Sequence, residues 1–229
     1  MPSLRIGTRG SALAMAQAQS VARMLEQTSP GLRVTLEVVR TTGDAIQDRP
    51  LRELGATGLF TRELDTALLD GRIDAAVHSM KDLPSRMTEG IMIACVPERE
   101  DPRDVFIGRD TPRLTELPEG AVVATGSPRR KAHLLHLRPD IQVVDLRGNI
   151  DTRLRKLLAP GGPGGIILAV AGLRRLQLEP AHTEILDLRR WLPAPGQGAL
   201  AVTARRDDKA IQPILASIDH LPSRLSVFA

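Results

Sequence analysis

The stretch "LFTRELDTALLDGRIDAAVHS", Leu59 to Ser79, reads as one helix running into one strand. Phe60, Leu64, Ala67 and Leu68 recur at i, i+4, i+7 and i+8, which gathers them on one helical face. Gly71 sits where such a helix stops. "DAAVHS" then predicts a strand that ends in a polar cluster, "HSMKDLP". Upstream, "LRIGT" predicts a strand. Ser11 to about Gln27 predicts a helix with Leu13, Val21, Met24 and Leu25 on one face. "RVTLEVV" alternates with period two, as a strand does. The rhythm is βαβ, whose usual outcome is a parallel sheet covered by helices.

A charged, proline-bearing segment follows, "PEREDPRD", Pro97 to Asp104, and predicts a crossing between domains. A second α/β unit comes after it. "AVVAT" is a strand and "SPRRKAHLLHL" a helix. "IQVVDL" is a strand, and "NIDTRLRKLL" is a helix with Ile150, Leu154, Leu157 and Leu158 on one face. "GGIILAV" is a buried strand. "LPAPGQG" marks a second crossing, and "ALAVTAR" resumes strand character. The expected division is 1–96 plus 197–217 for one lobe and 101–192 for the other. Residues 218–229 read as the start of a truncated linker or third domain. There "LPSRLSVFA" begins like a helix capped by Ser223 and stops within about two turns. Open α/β sheets take ligands at the carboxyl ends of their strands, so a cleft between two lobes is the expected site.

Composition narrows the function. The 229 residues are 42% hydrophobic and 25% charged, and no apolar run is long enough to span a bilayer. The N-terminus has no apolar core behind basic residues, so no secretory signal is expected. One cysteine excludes an internal disulfide and fits a cytosolic protein. The net charge of +4 calls for an anionic partner. Tyrosine is absent and Phe plus Trp number four, which argues against single-stranded nucleic acid and its stacking platforms. No zinc spacing and no phosphate-binding glycine loop is present, so no metal is expected.

"ATGSPRRKAHLL" is the most informative stretch. A strand runs into Thr125 and Gly126. Ser127 is then the expected N-cap and Pro128 the first helical residue. Arg129 and Arg130 occupy the first turn, where the helix dipole favours acids instead. A site that grips an anion explains this clash. "TRGSALAMAQ" repeats the arrangement, with Arg9, Gly10 and Ser11 as cap. "DLRGNIDTRLRK" adds Arg147, Asn149 as cap, Arg153 and Arg155, and "AGLRRL" adds Arg174 and Arg175. Arginine's fork suits bidentate carboxylates, so the set reads as a receptor for a polycarboxylate.

"RIGTRGSALAMAQ", "TGLFTREL", "AAVHSMKDLP", "EREDPRDVF", "TGSPRRKAHL", "LRGNIDTRL", "ILAVAGLRRL" and "LPAPGQGAL" keep order and spacing over essentially the whole chain. In these motifs the chain resembles the porphobilinogen deaminase (hydroxymethylbilane synthase) family. The resemblance implies an α/β fold of two lobes like type II periplasmic binding proteins, plus a small third α+β domain. It implies a cytoplasmic, monomeric transferase of tetrapyrrole and haem biosynthesis. Such an enzyme deaminates porphobilinogen and joins its units head to tail on a dipyrromethane primer. It implies Asp82 as the catalytic carboxylate. Ser79, Lys81, Asp82, Thr125, Ser127, Arg129, Arg130 and Arg147 match cofactor-contacting positions. Arg9, Ser11, Phe60, Arg147, Arg153, Arg175 and Gln197 match substrate-binding positions.

Two departures stand beside the matches. The loop "RELGATGLF" carries Glu53 and Thr57 where family members often have lysines; Arg52 or Arg62 are the substitutes on offer. The family attaches its primer to a cysteine in a Gly-Gly-Cys context, and this chain has no such motif. Cys95 lies in the apolar run "IMIACV" and reads as a buried thiol. The 229-residue chain is therefore expected to lack the third domain, to hold no covalent primer and to turn over little. The alternatives are a non-catalytic two-lobe solute-binding protein and, from charge alone, a nucleic-acid binder.

Overall fold

The structure is a computed structural model and describes residues 3–40 and 61–229. The chain divides into two compact units. Unit 1 comprises Met1–Glu100 and Ala199–Ala229, and unit 2 comprises Asp101–Gly198. Gln197, placed with the first lobe in the sequence reading, belongs to unit 2. Residues 218–229, set apart in that reading, cluster with unit 1.

Unit 1 is built on β1 (Ser3–Thr8), β2 (Arg33–Val38), β3 (Ala75–Ser79), β4 (Ile91–Cys95) and β10 (Leu200–Arg205). Their order in the sheet is β2-β1-β3-β10-β4. β1 runs parallel to β2 and β3, while β10 is antiparallel to both β3 and β4. The sheet is thus mixed, where the βαβ rhythm predicts parallel strands. Direction is lost on the sequence because β10 follows the whole of unit 2 in the chain. Helix α1 (Ala12–Thr28) packs Ala18, Val21 and Leu25 onto Leu4, Ile6 and Val77. Leu13, expected on that face, is only half-buried. Helix α2 (Arg62–Leu69) buries Leu64, Ala67 and Leu68 as the apolar spacing predicts. Phe60 and the loop with Arg52, Glu53 and Thr57 lie outside the described residues.

Unit 2 holds β5 (Asp104–Gly108), β6 (Val122–Ala124), β7 (Gln142–Val144), β8 (Gly165–Ala169) and β9 (Thr183–Ile185), in the order β7-β6-β8-β5-β9. β6 is parallel to β7 and β8; β5 is antiparallel to β8 and β9. Its helices are α3 (Pro128–Leu137), α4 (Ile150–Leu158) and α5 (Val170–Arg175). On α4, Leu157 is buried but Leu158, expected beside it, is exposed. The reason is spacing: Ile150, Leu154 and Leu157 already fill one stripe, and one further residue turns about 100° away from it.

Unit 1 ends with α6 (Gln212–Ala216) and α7 (Leu221–Phe228). Ser223 is not the cap of α7. The helix starts three residues earlier, with His220 at the N-cap and Pro222 in the first turn. Ser223 instead accepts a hydrogen bond from the Arg99 backbone N–H at 2.8 Å. Arg224 binds Asp219 and donates to the Ala94 carbonyl, which ties α7 to β4. Among the described residues, no helix is long and apolar enough to cross a membrane.

Candidate active site

In unit 1 the chain leaves β3 at Ser79 and makes a single 3-10 turn, Met80–Asp82. The turn is pinned at both ends. The Met80 N–H donates to the Ala199 carbonyl at 3.0 Å, and the Leu83 N–H donates to the Met80 carbonyl at 3.1 Å. A turn so held projects Lys81 and Asp82 from a strand end, both exposed. The Asp82 carboxyl is solvent-accessible at its surface yet crowded by protein. Lost hydration pushes its pKa up, and the charges of Lys81 and Arg9 pull it back. Arg9 follows β1, and Ser11 caps α1 by accepting the Ala14 N–H at 3.3 Å. Carboxylate, ammonium and guanidinium thus act on one another in unit 1.

Two buried polar residues behind this turn were not singled out from the sequence. Gln17 of α1 donates through Nε2 to the Ser79 hydroxyl at 2.9 Å. His78 Nε2 lies 3.1 Å from Thr203 Oγ1 on β10. Burial, helped by the charge of Arg9, lowers the His78 pKa to about 4, so the ring is neutral. The strand "AAVHS" did give a signal, since His78 continues a run of three apolar residues that are buried with it.

In unit 2 the first turn of α3 is capped as predicted: Ser127 Oγ accepts the Arg130 N–H at 3.4 Å, and Pro128 opens the helix. Thr125 is buried and its hydroxyl accepts the Ser127 N–H at 3.2 Å. Gly126 is required by close approach, because a Cβ there would lie 2.8 Å from the Leu146 carbonyl oxygen. Asn149 occupies the N-cap position of α4, but its side chain makes no capping bond.

The anion that Arg129 and Arg130 grip is internal. Both reach Asp104, at the start of β5, with Nη2 to Oδ2 and Oδ1 distances of 2.7 Å each. Trp191 Nε1 donates to Oδ2 at 2.8 Å, and Gln197 Nε2 donates to Oδ1 at 2.8 Å. Gln197 reaches inward because Gly196 and Gly198, at φ 67° and 87°, turn the chain sharply on either side of it. Burial alone would push the Asp104 pKa up. Arg130, by charge and hydrogen bond, then Trp191 and Arg129 outweigh it and bring it to about 2. In the sequence Asp104 reads as the last residue of a crossing, which hides this role. The clue was present: two arginines in a helix's first turn need an acid, and "RDVF" offers one at a strand start.

One acid leaves unit 2 rich in positive charge. Arg153 donates through Nε to the Gly148 carbonyl at 2.7 Å. Burial and the charges of Arg130 and Arg147 hold its pKa below the usual guanidinium value. Arg153 is therefore close enough to both Arg130 and Arg147 to be repelled by each. The Nε–H groups of Arg129 and Arg130 are buried with no acceptor. Arg175 lies apart from that group, donating to the Gly198 carbonyl at 2.6 Å.

Cys95, on β4, is fully buried, and burial followed by the charge of Asp219 pushes its thiol pKa to about 12. Among the described residues, no group of His, Cys, Asp and Glu is placed to hold a metal ion.

Known proteins were compared with the chain. Residues 4–213 match the family described as "Porphobilinogen deaminase, dipyromethane cofactor binding domain". The chain is 48% identical over 229 residues to porphobilinogen deaminase of Nitratidesulfovibrio vulgaris (strain Miyazaki F), covering 100% of this chain and 72% of that protein. It is 49% identical over 226 residues to porphobilinogen deaminase of Syntrophomonas wolfei, covering 99% and 74%. Among solved structures it resembles the BenM effector binding domain with its effector benzoate (TM-score 0.52, 14% identity, 100% and 95% covered). It also resembles the reduced OxyR regulatory domain of Pseudomonas aeruginosa (TM-score 0.51, 17% identity, 95% and 97% covered). At those identities the structures show the fold alone, the two-lobe α/β class of type II periplasmic binding proteins. The sequence matches go further, for they take in the Asp82 turn and the arginine-bearing helix starts alike: this chain belongs to the porphobilinogen deaminase family.

Proposed function

We propose that Asp82 is the catalytic carboxylate and that the arginines of unit 2 hold the carboxylates of a dipyrromethane. The family's work is the deamination of porphobilinogen and its joining into hydroxymethylbilane, a transferase step of tetrapyrrole biosynthesis. The observation that carries the assignment is the excess of buried positive charge in unit 2. Arg153 is repelled by both Arg130 and Arg147, and two buried Nε–H donors lack acceptors. A buried donor without a partner costs about 1–3 kcal/mol, so an added carboxylate is favoured there. Each pyrrole of a dipyrromethane carries an acetate and a propionate, so these residues fit the group. When bound, it supplies the pyrrole end on which the product grows.

Arg129, Arg130 and Arg147 would hold its carboxylates, with Ser127 and Thr125 shaping the helix start. Lys81 and Ser79 are assigned to cofactor contact as well. Arg9, Ser11, Arg153 and Arg175 complete the assignment on the substrate side, together with Phe60; Gln197, expected there from the sequence, is fully buried and donates to Asp104 instead, so it supports the arginines rather than touching substrate. Asp82 has a different task. As the substrate's C–N bond breaks, the electron pair leaves with the amine and positive charge spreads over the pyrrole. A carboxylate against the pyrrole N–H stabilises that charge and accepts a proton when aromaticity returns. The raised pKa of Asp82 suits a group that takes and returns a proton.

The covalent attachment is another matter. Cys95 is the only cysteine, and a fully buried, protonated thiol is a poor nucleophile. The mass of the 229-residue chain should therefore show no dipyrromethane thioether, and its turnover alone should be slight. An adduct on Cys95 would overturn this. We place the enzyme in the cytoplasm, a reading supported by its single, free and buried cysteine, and take it as a monomer from the family resemblance. In a form of the chain extended to carry an attachment cysteine and loaded with primer, Asp82→Asn should lower turnover by about a hundredfold or more while sparing carboxylate binding. Wild-type turnover in Asp82→Asn would remove Asp82 from the chemistry.

A further inference from the structure

We propose that Asp104 is a positioning residue, the internal strut that aims Arg129 and Arg130 at a bound carboxylate. The inference rests on the assignment of those arginines to carboxylate binding.

Asp104 is fully buried, and its two oxygens accept four donors: one Nη2 from each arginine, the Trp191 indole and the Gln197 amide. That fills the acceptor capacity of a carboxylate. The other terminal nitrogen of each arginine is also occupied, Arg129 Nη1 by the Leu192 carbonyl and Arg130 Nη1 by the Ile167 carbonyl. With both Nη groups engaged, neither guanidinium plane is free to rotate. Each keeps a second N–H on each Nη, and a buried Nε–H that no protein acceptor takes. Asp104 thus neutralises one charge of two and fixes the orientation of both. Trp191, which stacks on His133 at 4.9 Å between ring centroids, braces Asp104 from the other side.

Two roles for such an acid predict opposite results. An acid that merely offsets charge competes with the ligand, so removing it strengthens anion binding. An acid that positions the arginines strengthens binding by its presence, so removing it weakens binding although the protein gains positive charge. The geometry points to the second, since loose guanidiniums must be ordered again on binding.

The test is calorimetric titration of the 229-residue chain with a free dipyrromethane bearing acetate and propionate groups. Asp104→Asn should bind it about ten- to a hundredfold more weakly, as expected for losing charged hydrogen bonds that hold the donors. Asp104→Glu keeps the charge but displaces it by one methylene and should also bind more weakly. Trp191→Phe removes one brace without touching charge and should weaken binding by a smaller factor. Emission from Trp191, the chain's single tryptophan, reports whether the indole has left its partner in the aspartate variants. An aspartate that only supports folding would lower stability and leave the affinity of folded protein unchanged. Binding equal to or tighter than wild type in Asp104→Asn overturns the proposal. If that variant does not fold, wild-type binding by both Asp104→Glu and Trp191→Phe overturns it. Arg130→Gln separates the two levels. If it binds as wild type does, the arginine assignment itself fails. If it binds weakly while the Asp104 variants do not, only the positioning role fails.

Discussion

A buried carboxylate with four donors and a buried imidazole with one partner fail at different acidities. His78 ionises at about 4 when folded against an ordinary 6.5, so the unfolded chain binds the extra proton first. Its contribution is intact above the ordinary value and is lost as pH falls through that window, up to about 3 kcal/mol. Asp104 ionises at about 2 against an ordinary 3.8, so its contribution holds above the ordinary value and is lost only as pH falls towards 2. It amounts to roughly 2 kcal/mol. Urea unfolding followed from neutral pH downward should show stability falling already between 6.5 and 4. His78→Gln should flatten that first decline and leave the second. An unchanged profile in His78→Gln would assign the decline to other groups. Asp82 was legible in the sequence because "HSMKDLP" puts an acid and a cation at a strand end. Asp104 was not, because its partners lie 25, 26, 87 and 93 residues away and only the folded sheet brings them together.

At the scale of elements, helix starts were the most legible features and strand directions the least. Ser11 and Ser127 are caps because short hydroxyl side chains reach the N3 amide. Ser223 failed as a cap because Pro222 is itself a good first-turn residue and moved the start upstream. The caps rank below the turn that precedes them. Ser127→Ala should cost about 0.5–1 kcal/mol, given its long 3.4 Å bond. Gly126→Ala should cost more, because a methyl 2.8 Å from a backbone oxygen forces two strand ends apart. Thermal unfolding of the two variants checks the order; equal melting points would mean the turn yields freely. Strand direction had no local mark. β5 and β10 carry the same apolar composition as the parallel strands beside them, and only their antiparallel pairing tells them apart.

For the whole molecule, the two sheets share one plan. Each has three parallel strands in the order second, first, third, followed by an antiparallel strand and a last edge strand. In each unit the antiparallel strand is the one that follows a crossing: β5 after the first, β10 after the return. Unit 2 is continuous in sequence. Unit 1 is not, since β10 sits between β3 and β4 and pairs with both. A chain cut after residue 198 should therefore keep the buried Trp191 signal of unit 2 and lose the cooperative transition of unit 1. A native unit 1 transition in that fragment would show that β3 and β4 can close without β10.

The placement of β10 has a consequence for biosynthesis. Synthesis runs from the N-terminus, so β1 to β4 leave the ribosome with a vacancy inside their sheet, between β3 and β4. That vacancy persists while the next hundred or so residues are made, about ten seconds at a typical pace. Unit 2 has all its strands before β10 emerges. During that interval the open edges of β3 and β4 are the most aggregation-prone surface the nascent chain exposes. The unit begun first is the unit completed last.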